Sequence, residues 1–355
     1  MNNLSKRQGY MGQRESALSS IEEAVAIRSE LAKRNRETFL PELAISLNNL
    51  SNRQSHMGQR ESALVSIMEA VSLYRELVKQ SRQAFLPDLA RSLNNLSNRQ
   101  SYMGQRVSAL ASIEEAVAIR RELVRWDRDV FLPDLAASLN NLSNRQSYKG
   151  QRESALSSIE EAVAINRELV EQNREAFLPD LAVSLNNLSN RQSYMGQVES
   201  ALFSIGEAVA IRRELVERSW EAFLPDLAKS LGNLSNQQSY LGERESALSS
   251  MEEAVGHYRE LVERSREAFL PELARSLKQL GDRLAEVERL REAREASAEA
   301  LEALSPFFLR YPLSFDEFAR ATVRDYLLRS QKLCLEPDAT VLNPYRSSWK
   351  SGEEI

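Results

Sequence analysis

The chain has 355 residues, of which 27% are charged and 42% hydrophobic, and carries a formal net charge of −5. A mild acidic excess with both signs interspersed offers no basic field to a phosphate backbone, which argues against nucleic acid as a partner. The single cysteine, Cys334, excludes an internal disulfide, no apolar run approaches the ~18–20 residues of a membrane-spanning helix, and Met1–Arg7 lacks the apolar core of a secretory signal; a cytoplasmic chain with no membrane partner is expected.

From its start the chain repeats itself. Met1-Asn-Asn-Leu4 aligns with Leu47-Asn-Asn-Leu50, and Phe-Leu-Pro-(Asp/Glu)-Leu-Ala then returns at Phe39, Phe85, Phe131, Phe177, Phe223 and Phe269, each interval being 46 residues. A period between about 20 and 50 residues means a solenoid, a stack in which each unit touches only its neighbours. The first unit lacks the Phe-Leu-Pro opening, so its end reads as uncapped: a fragment of a longer protein, a truncated product, or a helix that pairs with a partner.

The copy from Phe85 to Val130 predicts two helices. Leu89, Leu93, Leu96 and Gln100 are spaced as one helical face, with Pro87 suited to the first turn and Asp88 complementing the positive end of the helix dipole. Gly104 marks the turn. Ala109, Ile113, Ala116, Val117, Leu123 and Val124 then form a second stripe, interrupted at Arg120, before a short polar stretch over 125–130. Small residues at Ser97, Ala109 and Ala116 let the two helices approach closely.

Six such units fill residues 1–268, the copies at 85–130 and 131–176 agreeing at 36 of 46 positions. Residues 269–304 keep the spacing but carry a Glu- and Arg-rich surface, as a capping unit must. Pro306 opens a different helical segment over 305–337, and the tail over 338–355 reads as loosely ordered.

Leu93, Leu96, Ser97, Gly104, Ala109, Ile113 and Ala116 fall at offsets 0, 3, 4, 11, 16, 20 and 23. This spacing resembles the tetratricopeptide repeat, lengthened here from its usual ~34 residues. With Leu-Asn-Asn-Leu it most resembles the long repeats of kinesin light chains and the arrays attached to NOD-like signalling proteins of fungi and bacteria. The resemblance implies an all-α fold, a right-handed superhelical α-solenoid of tandem helix-turn-helix units. It also implies that the Asn-Asn positions face a concave groove.

The candidate site is a set of ladders. Asn48/Asn49, Asn94/Asn95, Asn140/Asn141 and Asn186/Asn187 recur with Asn52, Asn98, Asn144 and Asn190 one turn on. An amide donates and accepts at once, so such a ladder suits an extended peptide backbone; the alternative is that the amides only tie repeat to repeat. Asn2/Asn3 begin the series, and it fades at Gly232/Asn233 and Lys278/Gln279. Tyr10, His56, Tyr102, Tyr148, Tyr194 and Tyr240 form a second ladder that grips side chains or packs over the turn. Gln8, Gln54, Gln100, Gln146, Gln192 and Gln238 are expected to bond to one another or to backbone between repeats. Arg7, Arg53, Arg99, Arg145 and Arg191 make a positive row, expected to be neutralised by Glu114, Glu115 and their equivalents.

The Asn-Leu-Ser triplets sit mid-helix and are not read as glycosylation sites. His56 and His257 are the only histidines, neither stands in a metal-binding spacing, and there is no Gly-rich phosphate loop, so no metal, no cofactor and no enzyme activity are expected. A minor candidate for catalysis is the C-terminal set Arg320, Asp325, Arg329 and Cys334. The reading is a scaffold that binds a protein or peptide along the concave face, as the recognition arm of a larger signalling protein. The alternative is a module that self-associates through its uncapped N-terminal end.

Overall fold

The computed structural model describes residues 14–346 and Trp349. Among the described residues fifteen helices follow one another with no strand. They are α1 (Arg14–Arg34), α2 (Arg36–His56), α3 (Arg60–Gln80), α4 (Arg82–Tyr102), α5 (Arg106–Trp126), α6 (Arg128–Tyr148), α7 (Arg152–Gln172), α8 (Arg174–Tyr194), α9 (Val198–Arg218), α10 (Trp220–Tyr240), α11 (Arg244–Arg264), α12 (Arg266–Glu286), α13 (Leu290–Arg310), α14 (Pro312–Lys332) and α15 (Ala339–Arg346). Even-numbered helices up to α12 carry the Phe-Leu-Pro register, which α14 continues, and are the first helices of the repeats; odd-numbered ones up to α13 are the second. The result is an all-α solenoid of stacked helical hairpins. The chain divides into two compact units, Met1–Asp180 and Leu181–Ile355.

In the first compact unit each hairpin closes on the same three contacts. Ser97 of α4 donates its hydroxyl to the Ala109 carbonyl of α5 at 2.7 Å, as Ser51 does to Ala63 and Ser143 to Ala155. This contact needs a short side chain on one helix and a Cβ-sized one on the other. Leu93, Leu96, Ile113, Ala116 and Leu123 are buried around it, each large side chain contributing about 1.5–3 kcal/mol against the entropy of ordering. At the base, Arg82 pairs with Glu122 at 2.7 Å, Arg36 with Glu76 and Arg128 with Glu168. These exposed pairs add no more than about 1 kcal/mol each.

Glycine takes the turn because its φ is positive: +72° at Gly104, with Gln105 N–H reaching back to the Gln100 carbonyl at 2.9 Å. The other joint is shorter than the sequence suggests. A single extended residue, Asp127 at φ −150°, separates α5 from α6, and its side chain accepts from Val130 N–H at 3.2 Å as the helix cap. Each first helix therefore starts three residues before its Phe. Pro41, Pro87 and Pro133 sit inside the helices, in the second turn, and not in the first as expected.

Arg120, which breaks the apolar stripe, is buried and donates to the carbonyl of Asp134 on the next first helix. Burial lowers its pKa, partly opposed by the Asp134 carboxylate. The glutamines behave differently from expectation. Gln54, Gln100 and Gln146 accept from Ser66, Ser112 and Ser158 within their own hairpins at 2.7–2.8 Å, and not from a neighbouring repeat.

The second compact unit repeats this chemistry in Ser189–Ala201, Ser235–Ala247, Gln192–Ser204 and Gln238–Ser250. In α12 and α13 the Gln/Ser pair becomes Leu284 and Ala296, both buried: an apolar pair replaces a hydrogen-bonded one. The C-terminal segment departs from its sequence reading. Pro306 lies within α13, which continues to Arg310, and α14 begins after the one-residue joint Tyr311, still in the 46-residue register. Beyond Pro337, α15 is not loose. Val341, Leu342, Tyr345 and Trp349 are buried with Leu301, Leu304 and Phe308, and the Trp349 indole N–H donates to Asp316 at 2.7 Å. Cys334, at φ +53°, occupies the slot that glycine fills in earlier turns.

The hairpin contacts make one prediction. Gln100→Leu alone leaves the Ser112 hydroxyl buried without its acceptor and is expected to cost about 1–3 kcal/mol. Adding Ser112→Ala reproduces the Leu284/Ala296 pair and recovers most of the loss in urea melts; a double variant as weak as the single contradicts this account.

Candidate functional site

One face of every first helix is left uncovered by its hairpin. On α4 the stripe is Asp88, Arg91, Asn95, Asn98 and Tyr102; on α6 it is Asp134, Ala137, Asn141, Asn144 and Tyr148. Steps of three and four residues place them on one side of the helix, and none of the ten is buried. Five residue types thus line up from helix to helix in the first compact unit: an acid, a variable position, two amides and an aromatic ring.

The amides divide into three kinds by their contacts. The first Asn of the pair bridges repeats at Asn48, Asn94 and Asn186. Asn48 Oδ1 accepts from Asn95 Nδ2 at 3.1 Å and from Ser92 Oγ at 3.3 Å, and Asn94 Oδ1 accepts from Asn141 at 3.0 Å and Ser138 at 3.4 Å. Asn48 and Asn140 are buried, Asn94 half-buried, and Asn140 also donates to the Ala136 carbonyl at 3.2 Å. In the second compact unit Asn186 is buried and accepts from Asn233 and Ser230, both at 3.0 Å, and from Arg212 at 3.4 Å.

The second Asn of each pair is half-buried: Asn49, Asn95 and Asn141 in the first compact unit and Asn187 in the second. Asn95 and Asn141 spend an N–H on the bridge to the preceding repeat. The structure therefore differs from the sequence expectation that both members of each pair stand open to a ligand. Asn48, Asn94 and Asn186 are committed as acceptors between repeats, and Asn140 is buried. Asn49 and Asn187 take the same partly covered slot as Asn95 and Asn141, because that position lies on the edge of the helix where its neighbour's amide packs.

The third Asn meets the arginine row. Asn52 Oδ1 accepts from Arg99 Nη2 at 2.7 Å and Asn98 Oδ1 from Arg145 Nη2 at 2.8 Å. Arg99 also reaches Ser51, and Arg145 reaches Ser97 and Ser101. Burial lowers the pKa of both guanidinium groups, with nearby tyrosines partly opposing it. The expected neutralisation by Glu115 does not occur, because Glu115 pairs with Arg75 of the preceding second helix at 2.7 Å. Asn144 and Asn190 are half-buried in the same slot.

The tyrosines stand out at the turn edge. Tyr102 and Tyr148 are 60% and 61% exposed, as is Tyr194 at 60% in the second compact unit, where the Arg191 guanidinium lies 5.9 Å from its ring. Tyr148 and Lys149 face the turn Gly104–Ser108 across an open depression of about 650 Å³. Of the ladder residues, Tyr148 is the one that lines this depression; the amides, Asn49 and Asn187 among them, do not.

The sequence reading missed the serines Ser92, Ser138 and Ser230, which donate to the bridging amides of Asn48, Asn94 and Asn186. Ser46, Ser92, Ser138, Ser184, Ser230 and Ser276 recur at 46 residues and are all buried, so the period itself held the signal. Asn2, Asn3, Arg7, Gln8, Tyr10 and the N-terminal end invoked for self-association lie outside the described residues. Arg320, Asp325 and Arg329 do not converge on Cys334: they pair with Asp316, Lys278 and Asp282 respectively. Among the described residues no three His, Cys, Asp or Glu side chains group as a metal site, and no helix is long and apolar enough to cross a membrane.

A family model described as tetratricopeptide repeat matches residues 89–124 and 135–174. A second, described as anaphase-promoting complex subunit 5, matches 3–39, 30–85, 169–224 and 226–270, recurring along just over half of the chain. No curated protein matches the sequence. Among solved structures, BtubC (BKLC) from P. vanneervenii is 21% identical with a TM-score of 0.56, over 70% of this chain and 92% of that one. The apo form of RapI is 13% identical with a TM-score of 0.51, over 82% and 98%. A Podosopora anserina putative kinesin light chain with nearly identical TPR-like repeats is 22% identical with a TM-score of 0.47, over 62% and 96%. With hairpins of the matching spacing, the chain belongs to the tetratricopeptide-repeat proteins, and it shares the repeat recognised by the model described as anaphase-promoting complex subunit 5.

Proposed function

We propose that the chain is a non-enzymatic, cytoplasmic protein-interaction scaffold that takes an extended segment of a partner protein along the first-helix stripe. The observation that carries this is the exposed ring row of Tyr102 and Tyr148, with the half-buried Asn98 and Asn144 one turn before them on the same face. Arg145 holds the Asn98 Oδ1, so the Nδ2 end, with two N–H groups, is what a ligand carbonyl meets. The exposed rings supply apolar area with little rotamer entropy to lose. Neighbouring helices pack about 8–10 Å apart and an extended chain rises about 3.3 Å per residue, so one repeat reads about three ligand residues. Repetition then supplies avidity. A signalling role for the larger protein rests on the resemblance to NOD-like arrays alone.

The structure separates amides held between repeats from side chains left at the surface, and two variants test the division. Tyr102→Ala/Tyr148→Ala is expected to lose partner proteins captured from lysate while stability stays within about 0.5 kcal/mol of the parent. Capture unchanged by the pair overturns the reading. Asn94→Ala strips the acceptor from Ser138 and Asn141 and is expected to destabilise the array by about 1–3 kcal/mol in urea melts; an unchanged midpoint contradicts its bridging role.

A further inference from the structure

At the last inter-repeat interface the same slots carry different chemistry. Lys278 stands where Asn186 stands two repeats earlier, and Asp325 on α14 stands where Asn233 does. In place of the amide bridge between Asn186 and Asn233, the Lys278 ammonium meets Asp325 at 2.9 Å and Asp282 at 2.9 Å. Asp282 occupies the third-Asn slot and Arg329 the arginine slot, and their contact is an ion pair of 2.6 Å. Both amide-mediated contacts of an internal interface have become charge pairs together.

The surroundings changed in step. Gly281 replaces the serine that elsewhere donates to the partner alanine's carbonyl, and a Cβ there would lie 2.5 Å from Arg329 Nη1. Arg329, itself buried, donates to the Ala293 carbonyl at 3.4 Å and to Ser297, so its guanidinium takes over the missing hydroxyl's role. Arg329 lies over a glycine here, whereas Arg99 and Arg145 in the same slot reach serines, Ser51 and Ser97, and every internal first helix except α12 carries serine there.

We propose that the array uses two interface codes. The neutral amide code joins α2 to α4, α4 to α6 and α8 to α10, and lets the repeats that carry it stack on one another. The charged code at Lys278, Asp282, Asp325 and Arg329 is keyed to α14, fixing which helix follows α12 and α13 and in what register. A wrong neighbour leaves the Lys278 ammonium and the Asp282 carboxylate without their opposite charges, and Asp325 facing an internal amide slot gains a neutral donor in place of a cation. The amide code makes repeat number free to vary; the charged code makes the docking of α14 invariant.

The test uses the full chain with hydrogen exchange of α14 amides as readout. Lys278→Asp sets three carboxylates together and is expected to reduce α14 protection roughly tenfold or more. Lys278→Asp/Asp325→Lys restores a cation between two carboxylates and is expected to recover it. Deleting residues 85–130, one whole internal repeat, is expected to leave α14 protection as in the parent. If Lys278→Asp leaves α14 protected, or the swap fails to rescue it, the key is overturned. If the deletion unfolds the array, interchangeability of the amide interfaces is overturned.

Discussion

The close approach of two helices at Ser97 and Ala109 is the constraint from which the rest of each repeat follows. A hydroxyl 2.7 Å from a backbone carbonyl holds α4 against α5 at one rotation. That rotation buries Leu93, Leu96 and Ile113 and sends Asn95, Asn98 and Tyr102 the other way. A larger side chain at either position forces the helices apart, since interiors packed at crystal density accept extra methylenes only at a cost. The same contact recurs in each hairpin up to Ser235 and Ala247, so the outward stripe recurs with it. Outward stripe and fold share one origin.

Stacking is a separate problem with a separate solution. Asn is a poor helix former because its amide competes for backbone partners, yet each bridging Asn here gains two donors from the next repeat. The net value of each bond is about 1 kcal/mol, but the cost of leaving a half-buried amide unpaired is larger, so the bridges specify register more than they add stability. Arg99 and Arg145 extend the same logic by using neutral acceptors, which leaves their charge without a carboxylate in contact. Where a carboxylate does sit in that slot, at Asp282, the neighbour is α14 and its Arg329.

Much of this was legible in the sequence because a 46-residue period exposes every position several times. The hairpin, the turn glycine and the close small-residue contact all follow from spacing alone. What the period cannot show is which neighbour a polar side chain chooses. Gln100 and Ser112 lie twelve residues apart and meet inside one hairpin, while Asn48 and Asn95 lie 47 apart and meet across two; amides look alike in both cases. For the same reason the Asn pairs read as one ligand-facing ladder, although Asn48 is buried and Asn49 and Asn187 are half-buried. Arg120 reads as a flaw in an apolar stripe until a carbonyl on the next helix is seen to receive it. The C-terminal end misled for a related reason. Pro306 and Pro337 signal breaks locally, but the first lies inside α13 and the second precedes a helix anchored by Tyr345 and Trp349. Tertiary burial overrode local punctuation.

The most direct test of the division of labour among the amides is side-chain NMR of the asparagine Nδ2 protons in the intact chain. The bridging protons of Asn95 and Asn141 should exchange with solvent far more slowly than those of Asn98, whose Oδ1 is engaged by Arg145. Equal, fast exchange at all three would mean that the first-helix amides hold neither register nor neighbour, and the account of how this array is built would fail.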